Sequence, residues 1–375
     1  MQAIWLSAPR TSHKRFLTVI HPLFSGRRQR KRYIYRPPLM WILRKRLIAT
    51  ILLLHCCYVL MAQDPHFSQF FASPLTLNPA FTGKFHGTYR VALNSRDQWP
   101  TINQAFRTST LAADFKPLGE DRNNIWGVGV MGLADQSAAG ALKFNYLSLS
   151  TAYHITLDDN GYHQLGLGFQ GTFANMILNT ALLSFEDQLT VDGFTGVSGE
   201  TFNNATLKSR YFDLNSGVLY TGSTNGSNFF YAGVSMYHVN RPKQSFTGNA
   251  TELKPRTTVQ AGGFFPFSDH ASLHLSALQS FQAGVRETVL GGAVQLIANP
   301  LEEKPTSIYV GAWTRMKDAL IPYLGVEFGD LRLGASYDVN TSALRTASSG
   351  AGGIEVSLIY TRRPSTDRPV LCPKF

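Results

Sequence analysis

Residues 331–339 read LRLGASYDV and residues 353–361 read GIEVSLIYT. In the first, Leu331, Leu333, Ala335, Tyr337 and Val339 form one row, while Arg332, Ser336 and Asp338 form the other. In the second, Ile354, Val356, Leu358 and Tyr360 oppose Glu355, Ser357 and Thr361. A period of two is the mark of a strand whose faces meet different surroundings. Further cases are Ala271, Leu273, Leu275 and Ala277 against Ser272, His274 and Ser276, and Phe212, Leu214, Val218 and Tyr220 against Asp213 and Asn215. Leu324, Val326 and Phe328 opposite Glu327 add another.

These segments run to about 9–13 residues, the span a tilted strand needs to cross a bilayer and longer than soluble strands usually are. A sheet in hydrocarbon must close on itself, with apolar side chains outward and polar ones inward. The fold class expected is therefore all-β, a transmembrane antiparallel β-barrel of about 14 strands. The strands are drawn at 86–97, 104–115, 125–134, 140–155, 163–175, 210–221, 228–238, 255–266, 269–279, 285–297, 305–314, 320–329, 331–339 and 351–361. The alternation slips between Tyr146 and Leu147, which reads as a bulge or a misdrawn boundary. A soluble β-sandwich also alternates, but strand length, the leader described next and the lack of disulfides favour the barrel. The stretch 178–209 does not alternate and is expected to form a large extracellular loop, with 239–253 and 339–350 as the next longest.

The net charge of +11 suggests a nucleic-acid partner until it is placed along the chain. Residues 1–62 hold 12 Lys/Arg and no Asp or Glu, and 63–375 hold 23 against 24. The charge belongs to one end, so a nucleic-acid partner is set aside. Arg44, Lys45 and Arg46, the apolar run Leu47 to Met61 and the small residue Ala62 before Gln63 describe a cleaved secretory signal peptide. The division expected is a possible over-called start at 1–39, a signal at 40–62, a segment at 63–85, the barrel at 86–361 and a tail at 362–375. Cys56 and Cys57 leave with the signal, so Cys372 stands alone in the mature chain and no internal disulfide can form.

Gly166, Gly168 and Gly171 fit G-x-G-x-x-G, yet they lie inside an alternating strand and not before a helix, so they read as wall glycines. The histidines lack metal-ligand spacing, and neither a metal nor a cofactor is expected. Ser272 and His274 share a face, the least that a barrel hydrolase would need. Asp213, Asn215, His274, Glu327, Arg332 and Asp338 are candidate lumen-facing residues.

The opening QDPHFSQFFASPLTLNPAFTG, residues 63–83, is too rich in proline and turn residues for a membrane strand. Its Phe and Leu residues read as apolar anchors packing on or into the periplasmic side of the barrel. This stretch resembles the start of the PorP/SprF family of Bacteroidota outer-membrane proteins. The residues that carry the resemblance are Gln63, Asp64, Pro65, Phe67, Ser68, Gln69 and Phe70, then Leu77, Asn78, Pro79, Ala80 and Gly83. At the other end are Ser336-Tyr337-Asp338, Gly352-Gly353-Ile354-Glu355 and the terminal Cys372-Pro373-Lys374-Phe375. The resemblance implies a non-enzymatic outer-membrane barrel of the type IX secretion and gliding-motility apparatus. Its partners would be membrane lipid, other secretion components and a secreted surface protein, often an adhesin engaged through its C-terminal sorting domain. A diffusion porin and a barrel-embedded hydrolase are the alternatives.

Overall fold

A computed structural model describes residues 64–102, 106–119, 124–194, 197–202, 204–298 and 306–363. The strands of the sheet are β1 (Tyr89–Gln98), β2 (Phe106–Phe115), β3 (Asn124–Ser137), β4 (Leu142–Thr156), β5 (Gln164–Asn179), β6 (Thr206–Gly222) and β7 (Phe229–Tyr237). They continue as β8 (Arg256–Ser268), β9 (Ala271–Gln282), β10 (Val285–Ile297), β11 (Thr306–Arg315), β12 (Ala319–Phe328), β13 (Leu331–Asn340) and β14 (Ala351–Arg362). Each is antiparallel to the next, and β1 closes the barrel against β14 from Tyr89↔Arg362 to Gln98↔Gly353. All 14 expected strands are present. Among the described residues no helix is long and apolar enough to cross a membrane.

The faces are inverted relative to a soluble protein. On β13, Leu333, Tyr337 and Val339 are exposed while Ser336, Asp338 and Asn340 are buried. Leu93, Leu111, Phe169, Leu275, Leu324 and Ile354 are likewise exposed around the wall. An apolar outside over a polar inside is stable only where hydrocarbon surrounds it. That arrangement excludes the sandwich.

No bulge occurs at Tyr146 and Leu147. β4 pairs without a register shift with both neighbours, from Ser137↔Leu142 to Asn124↔Ile155 and from Leu142↔Leu178 to Thr156↔Gln164. The slip is chemical: Lys143 and Asn145 point outward beyond the apolar belt, while Phe144 and Tyr146 point in. The same loss of contrast hid the upper ends of β5 and β6, so the expected loop 178–209 shrinks to 180–205. The irregularities lie at Pro266/Ser268 and Asp338/Val339 instead.

We call the end where β1 begins and β14 stops the base, and the opposite end the rim. Chain direction puts the connections 180–205, 238–255 and 341–350 at the rim. Two-residue hairpins, Leu189–Thr190 with Gly193–Phe194 and Lys243–Gln244 with Thr251–Glu252, stiffen the first two. The turns 269–270 and 329–330 at the base are much shorter.

Candidate functional site

The lumen is filled by the chain's own opening segment. From Asp64 it passes through short helical turns at Phe70–Ala72, Pro74–Leu77 and Pro79–Phe81, each closed by backbone hydrogen bonds within its own turn. Proline sets φ for these turns and cannot join the wall's ladder, which keeps the segment a separate plug. Its first residue is at the rim, because Asp64 meets His238 and Arg256, which flank the rim ends of β7 and β8. Its last residues are at the base, where Lys116 Nζ donates to the Phe85 carbonyl at 2.7 Å. The segment expected on the periplasmic side therefore spans the height of the barrel. Apolar anchors and polar wall groups alternate along its path, so both must be met inside.

Two charge clusters fix the plug near the rim. His238 lies between plug and wall, its Nε2 2.7 Å from Asp64 Oδ2 and its Nδ1 2.9 Å from Asp213 Oδ2. Gln282 Nε2 donates to Asp64 at 3.1 Å, and the Arg256 guanidinium stacks 4.5 Å from the Tyr237 ring centre. Burial alone would raise the Asp64 carboxyl, but the positive charges of His238 and Arg256 outweigh it and hold it well below the usual carboxylate range. Burial would depress the His238 imidazole, but Asp64 and Asp213 outweigh it and push the ring up to about 9. In the second cluster Ser68 Oγ donates to Asp338 at 2.8 Å and accepts from Arg315 at 2.6 Å. Arg96 and Arg315 bind Asp338 at 2.8 and 3.0 Å. The backbone N–H groups of Ser68 and Gln69 donate to the Glu355 carboxylate at 2.7 and 2.9 Å. Buried charges are tolerable when paired and hydrogen-bonded in this way.

Lower down, the wall is carved to receive the plug. Gly127 of β3, Gly168 of β5 and Gly217 of β6 face Thr82–Gly83, Pro79–Ala80 and Asn78, and a Cβ on any of them would overlap these atoms. Asn78 Nδ2 reaches the Val218 carbonyl at 3.1 Å while its Oδ1 accepts from the Ala80 N–H at 2.8 Å. Gly83 has φ +73 and donates its N–H to Asp114, which also binds Arg90 at 2.8 Å. Opposite the glycines, Phe70, Leu77 and Phe81 join Tyr231, Tyr309, Trp313 and Tyr323 in one buried cluster. The lumen is thus half core rather than uniformly polar, because the plug brings its own apolar side chains to bury.

Of the signature residues, Phe67, Ser68, Gln69, Leu77, Asn78, Pro79, Ala80 and Gly83 are buried in the plug, and Asp64 and Pro65 line a small cavity at its start. Gly353 and Glu355 lie on β14 facing them. Gln63, Cys372, Pro373, the signal peptide and the tail beyond 363 lie outside the described residues. Of the candidate lumen residues, Asp213 and Asp338 are in the two clusters. Asn215 accepts from the His238 N–H at 2.9 Å and donates to Gln170 at 2.9 Å. Glu327 binds Tyr309 and Arg332 at 2.8 and 2.6 Å, and also Arg363. His274 Nε2 lies 3.0 Å from Gln295 Oε1, its ring packed between Phe264 and Tyr309. Arg96, Arg256, Arg315 and His238 were missed, although each stands at an inward position or directly beside a strand end. No group of three metal-ligating side chains occurs among the described residues.

A sequence profile described as type IX secretion system membrane protein PorP/SprF matches residues 59–360. The chain belongs to the PorP/SprF family. It is a type IX secretion membrane protein of the outer membrane, a barrel with its long loops at one end. Outer-membrane barrels keep short turns in the periplasm and long loops outside, which puts the rim of this PorP/SprF barrel outside the cell. A search of curated proteins found no significant match. Similar solved structures include the CymD monoaromatic hydrocarbon channel, 9% identical, covering 79% of this chain and 94% of that one, with a TM-score of 0.43. A Pseudomonas aeruginosa FadL homologue is 11% identical over 77% of this chain and 94% of that one, TM-score 0.43. The translocator domain of the autotransporter NalP from Neisseria meningitidis is 10% identical over 73% and 88%, TM-score 0.36.

Proposed function

We propose that the chain is a non-enzymatic barrel that helps export a secreted surface protein, such as an adhesin, and anchors it at the outer membrane through the partner's C-terminal sorting domain. The observation that carries this reading is the filled lumen. Two internal cavities beside the plug measure about 50 Å³ each, room for a few waters and not for a passing solute. A filled lumen favours a holding role over a diffusion porin. The signature residues then serve assembly, as the seat and latch of the plug, and the apolar belt contacts lipid.

The rim loop 180–205 supports the partner surface. Leu189, Val191, Phe194 and Val197 are exposed on a connection that lies clear of the belt, and apolar side chains in water are a common mark of protein contact. The hydrolase alternative gains little, since Ser272 is buried and His274 is engaged with Gln295. Deleting the gene and cataloguing surface proteins released by external protease tests the reading. Loss of one large surface protein is expected, and normal display of every surface protein would sink it.

A further inference from the structure

β6 outgrows its neighbour at the rim. It pairs with β5 along its whole upper length, up to Asn179↔Thr206, but its pairing with β7 stops at Ser216↔Met236. His238, with φ +59, then turns the chain away. The Val239 N–H donates to the Leu214 carbonyl at 2.9 Å. Asn240 completes one further step with its side chain, accepting from the Leu214 N–H at 3.0 Å and donating to the Phe212 carbonyl at 2.8 Å.

Leu214 uses both its N–H and its C=O on the β7 side, and alternate residues of a strand point their backbone groups to opposite edges. The Phe212 N–H and both backbone groups of Arg210, Lys208 and Thr206 therefore face that side too. The short strand Lys243–Gln244 packs against this stretch only through inward side chains, the Ser245 N–H donating to Ser209 Oγ at 3.0 Å and Gln244 Nε2 to the Tyr211 hydroxyl at 3.2 Å, and among the described residues no strand is hydrogen-bonded to its backbone edge. Lys208 and Arg210 point their side chains outward, which puts this stretch above the hydrocarbon. Closed barrels abolish edges, and an open one in water is a template for another strand.

The side chains beside the edge narrow the occupant. Lys208 and Arg210 stand two apart on one face, and among the described residues neither has a carboxylate within ion-pair reach. Arg210 Nε donates only to Asn175, at 3.2 Å. A second copy of this chain would bring the same cations against these, which is unfavourable directly across a ladder. The inner face is already covered, with Tyr211 packed beside Phe246 and Leu253.

We propose that the open edge of β6, Thr206–Phe212, receives an extended strand of the exported partner, one with carboxylates at the alternate positions facing Lys208 and Arg210. The inference rests on the anchoring reading above and names the partner's recognition chemistry.

The test uses the full chain in detergent and, as probe, a short peptide alternating valine and glutamate. Lys208→Pro and Arg210→Pro each remove an N–H from the open side only, leaving the ladder to β5 intact. Lys208→Glu/Arg210→Glu reverses the charge without touching the backbone, and heat-modifiable gel migration reports that each variant is closed. Salt-sensitive binding of the peptide to the wild type is expected. Each variant should lose roughly tenfold, the worth of one or two hydrogen bonds or close charge pairs. A wild type that ignores the peptide, or variants that bind it equally, would overturn the proposal. In cells the two readings separate: display lost on gene deletion but kept in the proline variants removes the edge and leaves the anchor. Display kept on deletion removes the anchor.

Discussion

His238 links the plug to the wall through two carboxylates, Asp64 and Asp213, and its charge is what keeps those two acids together. Its ring is raised to about 9 from an ordinary value of 6.5, so its contribution is complete below about 6.5 and is lost as pH rises through about 9. Asp64 is lowered, so its contribution is present above the usual carboxylate range and disappears only in strong acid. The protection factors of residues 64–72, taken relative to intrinsic exchange at each pH, should therefore be high at pH 6 and fall between pH 7 and 10. His238→Ala leaves two carboxylates facing each other and should loosen the same residues by about 3 kcal/mol at pH 6. Protection factors that change with neither pH nor the substitution would count against the latch. Gly217→Val drives a side chain into Asn78, with an expected cost of about 1–3 kcal/mol in thermal stability. Gly132→Ala opens onto free space on the same wall and should cost less than about 0.5 kcal/mol. The period-two pattern placed Asp213 inward, but its partner His238 comes 25 residues later and Asp64 lies 174 residues from His238 in sequence. Nothing local in a sequence announces contacts of that range.

At the scale of elements, the strands were legible because hydrocarbon demands one chemistry outside and the lumen tolerates another. Where that demand ends, legibility ends with it. Lys143, Asn145, Lys208 and Arg210 put polar side chains on the outer face of their strands, beyond the apolar belt, so β4 and β6 read as slipped or shortened. The plug was legible as a non-strand with apolar anchors, because Pro65, Pro74 and Pro79 forbid a ladder. Its path was not, because the glycines that receive it look like any wall glycines. Glu355 joins the two elements by accepting from the N–H groups of Ser68 and Gln69 and from Asn94 Nδ2 at 2.9 Å. Glu355→Gln keeps the shape but turns an amide nitrogen toward those donors. About 1.5–3 kcal/mol of local stability should be lost, read as faster exchange at Ser68 and Gln69 with the amides of β13 unchanged. Equal loosening of β13 would mean that Glu355 supports the wall and not the plug.

For the whole molecule, the +11 charge describes the first 62 residues, and the rest is nearly neutral. Among the described residues the lumen is occupied by the opening segment, which leaves the rim loops and the upper edge of β6 as the surface offered outward. The family resemblance was legible at both ends of the chain. That the opening motif fills the barrel was not legible, since its partners are spread over nearly every strand and far from it in sequence. Planar-bilayer conductance of the purified full chain, beside Gly217→Val and His238→Ala, tests this most directly. A self-plugged barrel predicts no steady current from the wild type and flickering openings when the plug is loosened. A stable, ohmic pore from the unaltered chain would contradict it.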